Sequence, residues 1–430
     1  MKSPRLVRPL RRNRLFRRLF IGLLMSRTGD AFTVVALSWL MLSIAGPAQL
    51  GLMLFLTALP AMVTGSVAGQ VIDTVGLRVP VVADNLVRAV LTAGLAVLVG
   101  TGRVEVVHLF AFALLSSLVG ALSDVGLEVA VPAVVEDEDL EEANTLLSVV
   151  WDVSALVGPV VAGLLVAWRG SSLALAVDAV SFLFVAATAT SLPARAGEEP
   201  ADAAEQGAAV ERGGRLRALA RGYVLLARNR AVLTLTVTTV AILAIAGAQE
   251  VFYPVFVSET LELDSDAYGL LVSVSGGLSL AGTILLTPVF RRWRPVWALS
   301  VAVAARGALL LPVAGARGLP SATFWSASST ALDGPYYPLA RAQSQRLVAP
   351  EERGAVTGAR ASLGVAGYPL GNALGGLLLA GFSGPVLVAA LAVCHLPLVA
   401  LLWLSRSVRA LPAPREPARA DALPEAAPVG

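Results

Sequence analysis

Residues 19–44 read LFIGLLMSRTGDAFTVVALSWLMLSI, and the fold turns on that stretch. It is apolar except for Arg27, Asp30 and a few small hydroxyl residues. As a helix rising 1.5 Å per residue it reaches about 39 Å, enough to cross a hydrocarbon core of roughly 30 Å. A basic run precedes it: Lys2, Arg5, Arg8, Arg11, Arg12, Arg14, Arg17 and Arg18. A cleaved leader also starts basic, but its apolar region is only about 7–15 residues and ends at a small-residue cleavage site. This stretch is longer and no such site follows, so it reads as a first membrane helix.

Working outward, similar apolar runs recur at 49–72, 79–101, 106–131, 145–168, 171–192, 231–257, 267–290, 296–314, 320–343, 355–380 and 383–405. The expectation is an all-α integral membrane protein with twelve transmembrane helices; ten or fourteen would require a misread boundary. Composition agrees. The 430 residues are 56% hydrophobic and 15% charged, with mean hydropathy +0.74, whereas a soluble domain carries about 25% charged residues. Twelve spans leave little room for a soluble domain.

Charge supplies the topology. With the N-terminus inside, the outer loops hold only Arg103, Arg169 and Arg317. Arg27 and Arg306 read as lying within spans, and all other Lys and Arg residues as lying at or near the cytoplasmic side. This bias places both termini in the cytoplasm. The net charge of +3 is therefore a topology signal, and no nucleic-acid partner is expected. Lys occurs once and Arg dominates with Ala, Gly and Val, a usage that suits a GC-rich bacterium and its cytoplasmic (inner) membrane.

The chain repeats itself. Shifted by about 210 residues, Glu141-Glu142 meets Glu351-Glu352 and Pro159 meets Pro369; Gly51 likewise answers Gly269. The layout is two six-helix pseudo-symmetric bundles, 1–192 and 231–405. They flank a cytoplasmic linker (193–230) whose basic end reads as an amphipathic surface helix; a disordered cytoplasmic tail (406–430) follows. Repeats of this kind put a substrate site near the bilayer midplane between the halves.

Between the second and third spans the chain reads Gly69-Gln-Val-Ile-Asp73-Thr-Val-Gly76-Leu-Arg78. This resembles the signature loop of the major facilitator superfamily, with Thr74 where the family usually carries Arg or Lys. The resemblance implies a conformational latch formed by Gly69, Asp73, Gly76 and Arg78. The fifth span holds Gly158, Pro159 and Gly163, similar to the Gly/Pro motif of the superfamily's antiporters, with Ser154 and Ala162 replacing glycines. Small residues at this spacing also simply let helices pack closely. Ser26-Arg-Thr-Gly29-Asp30 and Leu140-Glu-Glu-Ala143-Asn144 resemble the bacterial branch of macrolide-efflux and enterobactin-exporter proteins. That branch implies export of a small amphipathic compound (a drug, antibiotic or similar metabolite) by proton antiport. The alternative is a siderophore or lysolipid transporter of the same fold. The Arg that many such antiporters hold in mid-helix four is absent here.

A charge at the bilayer centre costs about 2.5–3.5 kcal/mol on insertion scales, so those retained are candidates for function. The proton-coupling set is Asp30 and Glu250, read as facing each other in equivalent helices, then Asp124 and Glu128, which share one helix face. Asp152, Asp178 and Asp333 also lie well inside spans. Carboxylates serve protons or sodium equally. Substrate-cavity candidates are Arg27, Trp39, Trp151, Tyr253, Tyr336 and Tyr368. One cysteine and two histidines give no reason to expect a metal or cofactor. The absence of a GxSxG elbow and of a P-loop argues against an enzyme and against ATP as the energy source. A non-transporting membrane receptor is the remote alternative, disfavoured for want of a sizeable output domain. The expected partners are a small-molecule substrate, protons or sodium, and the lipid bilayer, with the protein a monomer.

Overall fold

A computed structural model describes residues 7–192 and 221–411, apart from the side chains of 59, 61–70, 73, 121, 124, 125, 127–129, 132, 133, 137 and 350. Gly69, Asp73, Asp124 and Glu128, most of the linker and the tail from 412 therefore lie outside the described residues. What is described is helical, without a strand.

The first bundle comprises α1 (Arg14–Ile44), α2 (Pro47–Val75), α3 (Arg78–Gly100), α4 (Val106–Val134), α5 (Leu140–Arg169) and α6 (Ser171–Ala189). The second comprises α7 (Arg230–Val255, extended by a π turn, Phe256–Thr260), α8 (Ser265–Phe290), α9 (Pro295–Leu310), α10 in two pieces (Leu319–Thr330 and Asp333–Arg346), α11 (Arg353–Leu379) and α12 in two pieces (Gly384–Val393 and His395–Leu404). By length and apolarity alone, α1, α3, α5, α6, α7, α8, α9 and α12 qualify as membrane spans, and α2 and α4 contribute the shorter apolar stretches Pro47–Ala58 and Val106–Gly120. The break divides α10, and Arg353, Arg360 and Asn372 dilute α11. The twelve-helix, two-bundle expectation holds.

Local chemistry sets the helix ends. The Asn13 side chain accepts from the backbone N–H groups of Leu15 and Phe16 and starts α1, supplying partners to donors that helix termini leave unmatched. Asn229 does the same for α7 through Val232. Tight reversals use positive φ at Gly76 (+91°) and Gly170 (+79°), a region that favours glycine.

The bundles meet at two crossings. At one, Gly163 lies on the Ser265 backbone and Gly269 on Pro159, joining α5 to α8; at the other, Gly51 lies on Asn372 and Gly376, joining α2 to α11. These contacts cluster toward the face opposite the termini. There a single apolar core joins both bundles, with Met41, Leu50, Leu109 and Val166 meeting Val251, Phe256, Leu271 and Leu387. Toward the terminal face the core splits. Leu19, Leu77 and Ala189 belong to the first bundle alone, and Leu235, Leu299 and Leu402 to the second. Among the described residues the apolar core is thus continuous between the bundles at the far face and separate toward the face that carries both termini, the arrangement of a cleft open to that face.

Candidate functional site

The charged groups of the first bundle converge at mid-membrane. Asp30 of α1 takes the Arg88 guanidinium of α3 at 2.5 Å and that of Arg27, one turn away, at 3.5 Å. Arg27 lies over the Trp151 ring of α5, 4.2 Å from its centroid, and Arg88 over the Phe182 ring of α6, at 4.0 Å. Such cation–π contacts hold a cation without removing its charge. Arg88 also reaches Ser116 of α4 at 3.4 Å and lies against Gly120. The Asp30 side chain is 25% exposed and Trp151 is 59% exposed, so this cluster borders the cleft.

Behind it lies Asp178 of α6, with no exposure. Its carboxylate accepts from Thr33 at 2.5 Å and Ser181 at 3.0 Å. It sits against Gly29, the residue before Asp30, where any side chain would collide with it.

Arg88 is the residue that sequence reasoning misplaced. The charge count set it at the cytoplasmic edge, yet it stands mid-way along α3. The signal was present: an arginine some ten residues inside the apolar run 79–101. It is a mid-span cation of the third helix, whereas the fourth carries no arginine.

The second bundle holds a matching network of different character. Arg306 of α9 donates to Asp333 of α10 at 2.6 Å and to the Gln249 side-chain oxygen of α7 at 2.9 Å, and contacts the His395 ring of α12 at 2.8 Å. Ser329 donates to the Arg306 carbonyl. Arg306, Gln249 and His395 are all buried and the Asp333 side chain is 15% exposed, so this network is more enclosed than the first.

Glu250 is half-buried beside Tyr368 and Asn372 of α11. Gln249 stands where Thr33 stands in the first bundle, so Glu250 lies one turn beyond the counterpart of Asp30. The expected register between the two acids is therefore off by a turn. Among the cavity candidates, Trp151 and Tyr368 are exposed, while Trp39 leans on the shared core. Tyr253 and Tyr336 are buried inside the second bundle, paired with Gln249 and Thr239. Both were expected at the cavity; helix periodicity in a short apolar run does not say which face meets a partner helix.

The motif residues have packing partners. Gly158 meets Ala31 of α1, and Pro159 and Gly163 form the α8 crossing. Arg78 donates to the Leu192 carbonyl at 2.7 Å, tying the loop after α2 to the end of α6. Among the described residues no group of His, Cys, Asp or Glu is placed to hold a metal ion.

Two six-helix bundles around a charged midplane cleft define a secondary transporter. The transmembrane secretion effector family matches residues 6–314, and the major facilitator superfamily matches 251–428. The chain belongs to this transmembrane secretion effector family of major facilitator transporters. It is 28% identical over 396 residues to the multidrug efflux pump Tap of Mycobacterium tuberculosis, covering 89% of this chain and 92% of that one. It is 26% identical over 372 residues to an uncharacterized MFS-type transporter of Sinorhizobium fredii, covering 85% and 88%. Its backbone matches the inward-facing, unoccupied structure of a bacterial homologue of the lysosomal transporter Spinster with TM-score 0.72 at 12% identity, covering 96% of this chain and 98% of that one.

Proposed function

We propose that this transporter exports a small amphipathic compound bearing a positive charge from the bacterial cytoplasm in exchange for protons. The bundles rock about the α2–α11 and α5–α8 crossings, and both termini are cytoplasmic, so the open cleft faces the cytoplasm. The observation that carries the reading is the Asp30–Arg27–Arg88 cluster beside the exposed Trp151 ring. It offers a carboxylate and an aromatic face at mid-membrane, both now held by resident guanidinium groups. A cation entering the cleft meets both. On the opposite bundle Glu250, with Tyr368 and Asn372 as its partners, supplies a second carboxylate to the same cleft. The likeness to a multidrug efflux pump over most of both chains supports export and a broad amphipathic substrate class. Asp73 and Arg78 serve as the latch of the closed cytoplasmic state, and the protein works as a monomer.

The test uses everted membrane vesicles carrying a pre-formed proton gradient read by a pH-sensitive dye. Macrolides, cationic dyes and siderophores are added in turn. Cationic or amphipathic compounds are expected to release protons with the wild type and not with Asp30→Asn. A wild-type response to sodium but not to protons would replace the coupling ion. A full response from Asp30→Asn would remove Asp30 from the mechanism.

A further inference from the structure

We propose that the exchanged proton resides on Asp178 and that Arg88 passes between Asp30 and Asp178, so that the cationic substrate and the proton occupy different carboxylates. The proposal rests on the antiport reading above and assigns its parts.

Three observations converge. First, Asp30 is a poor place for the proton. Its carboxylate already faces two guanidinium groups, at 2.5 Å and 3.5 Å. Neutralising it would leave Arg27 and Arg88 without that counter-charge in a site of low dielectric, which is the costly way to break an ion pair. Second, Asp178 is built to exist in either state. Its partners are the hydroxyls of Thr33 and Ser181. A hydroxyl donates to a carboxylate and, after rotation, accepts from a carboxylic acid. Both forms keep their hydrogen bonds without rearrangement of the helices. Third, the two acids are neighbours. Asp178 touches the backbone at Gly29, Thr33 lies on the same helix as Asp30 one turn on, and Arg88 lies on the Phe182 ring, one turn from Asp178 along α6. The flat ring gives the guanidinium a surface to slide across while its charge stays compensated.

The cycle conserves charge. In the described state Arg88 holds Asp30, and Asp178 is neutral. An organic monocation enters from the cleft, stacks on Trp151 and takes Asp30. Arg88, displaced, turns to Asp178, whose O–H bond breaks. Its proton leaves through the half-buried Thr33 hydroxyl to water in the cleft, and the electron pair stays on the carboxylate to meet Arg88. One positive charge enters the cluster and one leaves. The other charged groups nearby are Arg27 from α1 and Asp84 from α3. The Asp84 carboxylate is engaged by the Ser123 backbone N–H at 3.1 Å. Among the described residues α5 brings no charge to Asp178.

The experiment uses the purified full-length protein in weakly buffered detergent solution with a pH indicator, and tetraphenylphosphonium as the probe. The wild type is expected to release about one proton per probe bound. Asp178→Asn should release none and bind the probe with no dependence on pH, whereas Asp30→Asn should lose binding at least tenfold. Infrared spectra of the probe-free protein should contain a protonated-carboxyl band that Asp178→Asn lacks; Asp30→Asn should weaken it too, because Arg88, without Asp30, turns to Asp178. Proton release that persists in Asp178→Asn, or a carboxyl band that Asp178→Asn keeps in full, overturns the proposal while leaving antiport intact. Wild type that binds the probe and releases nothing overturns antiport itself, and wild type that binds no probe overturns the cationic substrate class; the proposal falls with either.

Discussion

The two bundles carry the same part and use it differently. Each has an arginine midway along its third helix, Arg88 in one and Arg306 in the other, reaching toward the first, fourth and sixth helices of its own bundle. The positions around them correspond: Thr33 with Gln249, Gly120 with Asp333, Asp178 with His395. In the second bundle the fourth helix supplies the acid, and glutamine and histidine complete a shell around an arginine only 1% exposed. In the first bundle the fourth helix offers glycine, and the acid comes instead from Asp30, at the cleft. Moving one carboxylate from the fourth helix to the first turns an enclosed brace into a cluster that a solute can reach.

The largest expected effect tests that division. Arg306→Gln leaves the largely enclosed Asp333 without its cation, which should cost about 3–5 kcal/mol and remove folded protein from the membrane. Replacing both partners by apolar residues (Arg306→Met with Asp333→Leu) should recover most of that loss, because no charge is then stranded. Arg88→Gln should melt close to wild type, since Asp30 keeps Arg27, yet lose transport. Thermal melts in detergent and the vesicle assay separate the two. If Arg88→Gln destabilises as much as Arg306→Gln, both arginines are braces and the contrast fails.

A smaller effect should appear at the two crossings, where the bundles are alike. A side chain added at Gly51 or Gly163 meets backbone of the opposite bundle, so Gly51→Val and Gly163→Val should each pry the far face open. Transport should fall at least tenfold, with the protein still in the membrane. The readout is labelling by an impermeant maleimide of Ala248→Cys, a buried far-face position, in a background where the exposed Cys394 is replaced by alanine. Labelling should rise in both variants. A rise in only one would mean that a single crossing carries the seal.

Most of the fold was legible because a bilayer accepts few solutions: apolar runs of span length, basic flanks and a repeated Gly/Pro pattern give helices, their order and their pairing in halves. The site was legible in part. Asp30, Arg27, Asp178 and Arg306 stand out as charges in apolar runs, but the sequence does not say which face of a helix meets another. That is why the closer partner of Asp30 is hidden: Arg27 is near it in sequence, but Arg88, distant in sequence, lies at 2.5 Å against 3.5 Å for Arg27. For the same reason Tyr253 and Tyr336 read as cavity residues and are buried. The breaks in α10 and α12 fall at Ala331–Leu332 and Cys394, beside Asp333 and His395 of the Arg306 shell, and the sequence marks both: Pro335 and Pro397 cannot donate to the carbonyls of Ala331 and Val393 four residues earlier.

The smallest effects lie at the terminal face, where the bundles share a device and differ in what surrounds it. Asn13 donates its amide to the Val134 carbonyl, and Asn229 to the Leu347 carbonyl; each pins the first helix of its bundle to the end of the fourth. Asn13→Ala and Asn229→Ala should each cost roughly 1 kcal/mol, the ordinary value of a lost N-cap. Their surroundings then separate them. Near Asn13 the reinforcement is ionic: Arg8 meets Glu138 and Asp139, and Arg12 meets Glu136. Hydrogen bonding to Glu138 holds the Arg8 guanidinium above its usual range, so its charge is fixed and only the acids or salt can loosen the contact. Near Asn229 the reinforcement is apolar: Leu226, in the helical stretch 221–228, is buried against Val348, Val356 and Ala359. Exposed ion pairs weaken as salt shortens the screening length, and apolar burial does not. Raising salt should therefore enlarge the melting deficit of Asn13→Ala relative to wild type, and should leave that of Asn229→Ala unchanged. Equal salt sensitivity in the two variants would show that the ion pairs around Arg8 add nothing to the first bundle that the apolar contacts do not add to the second.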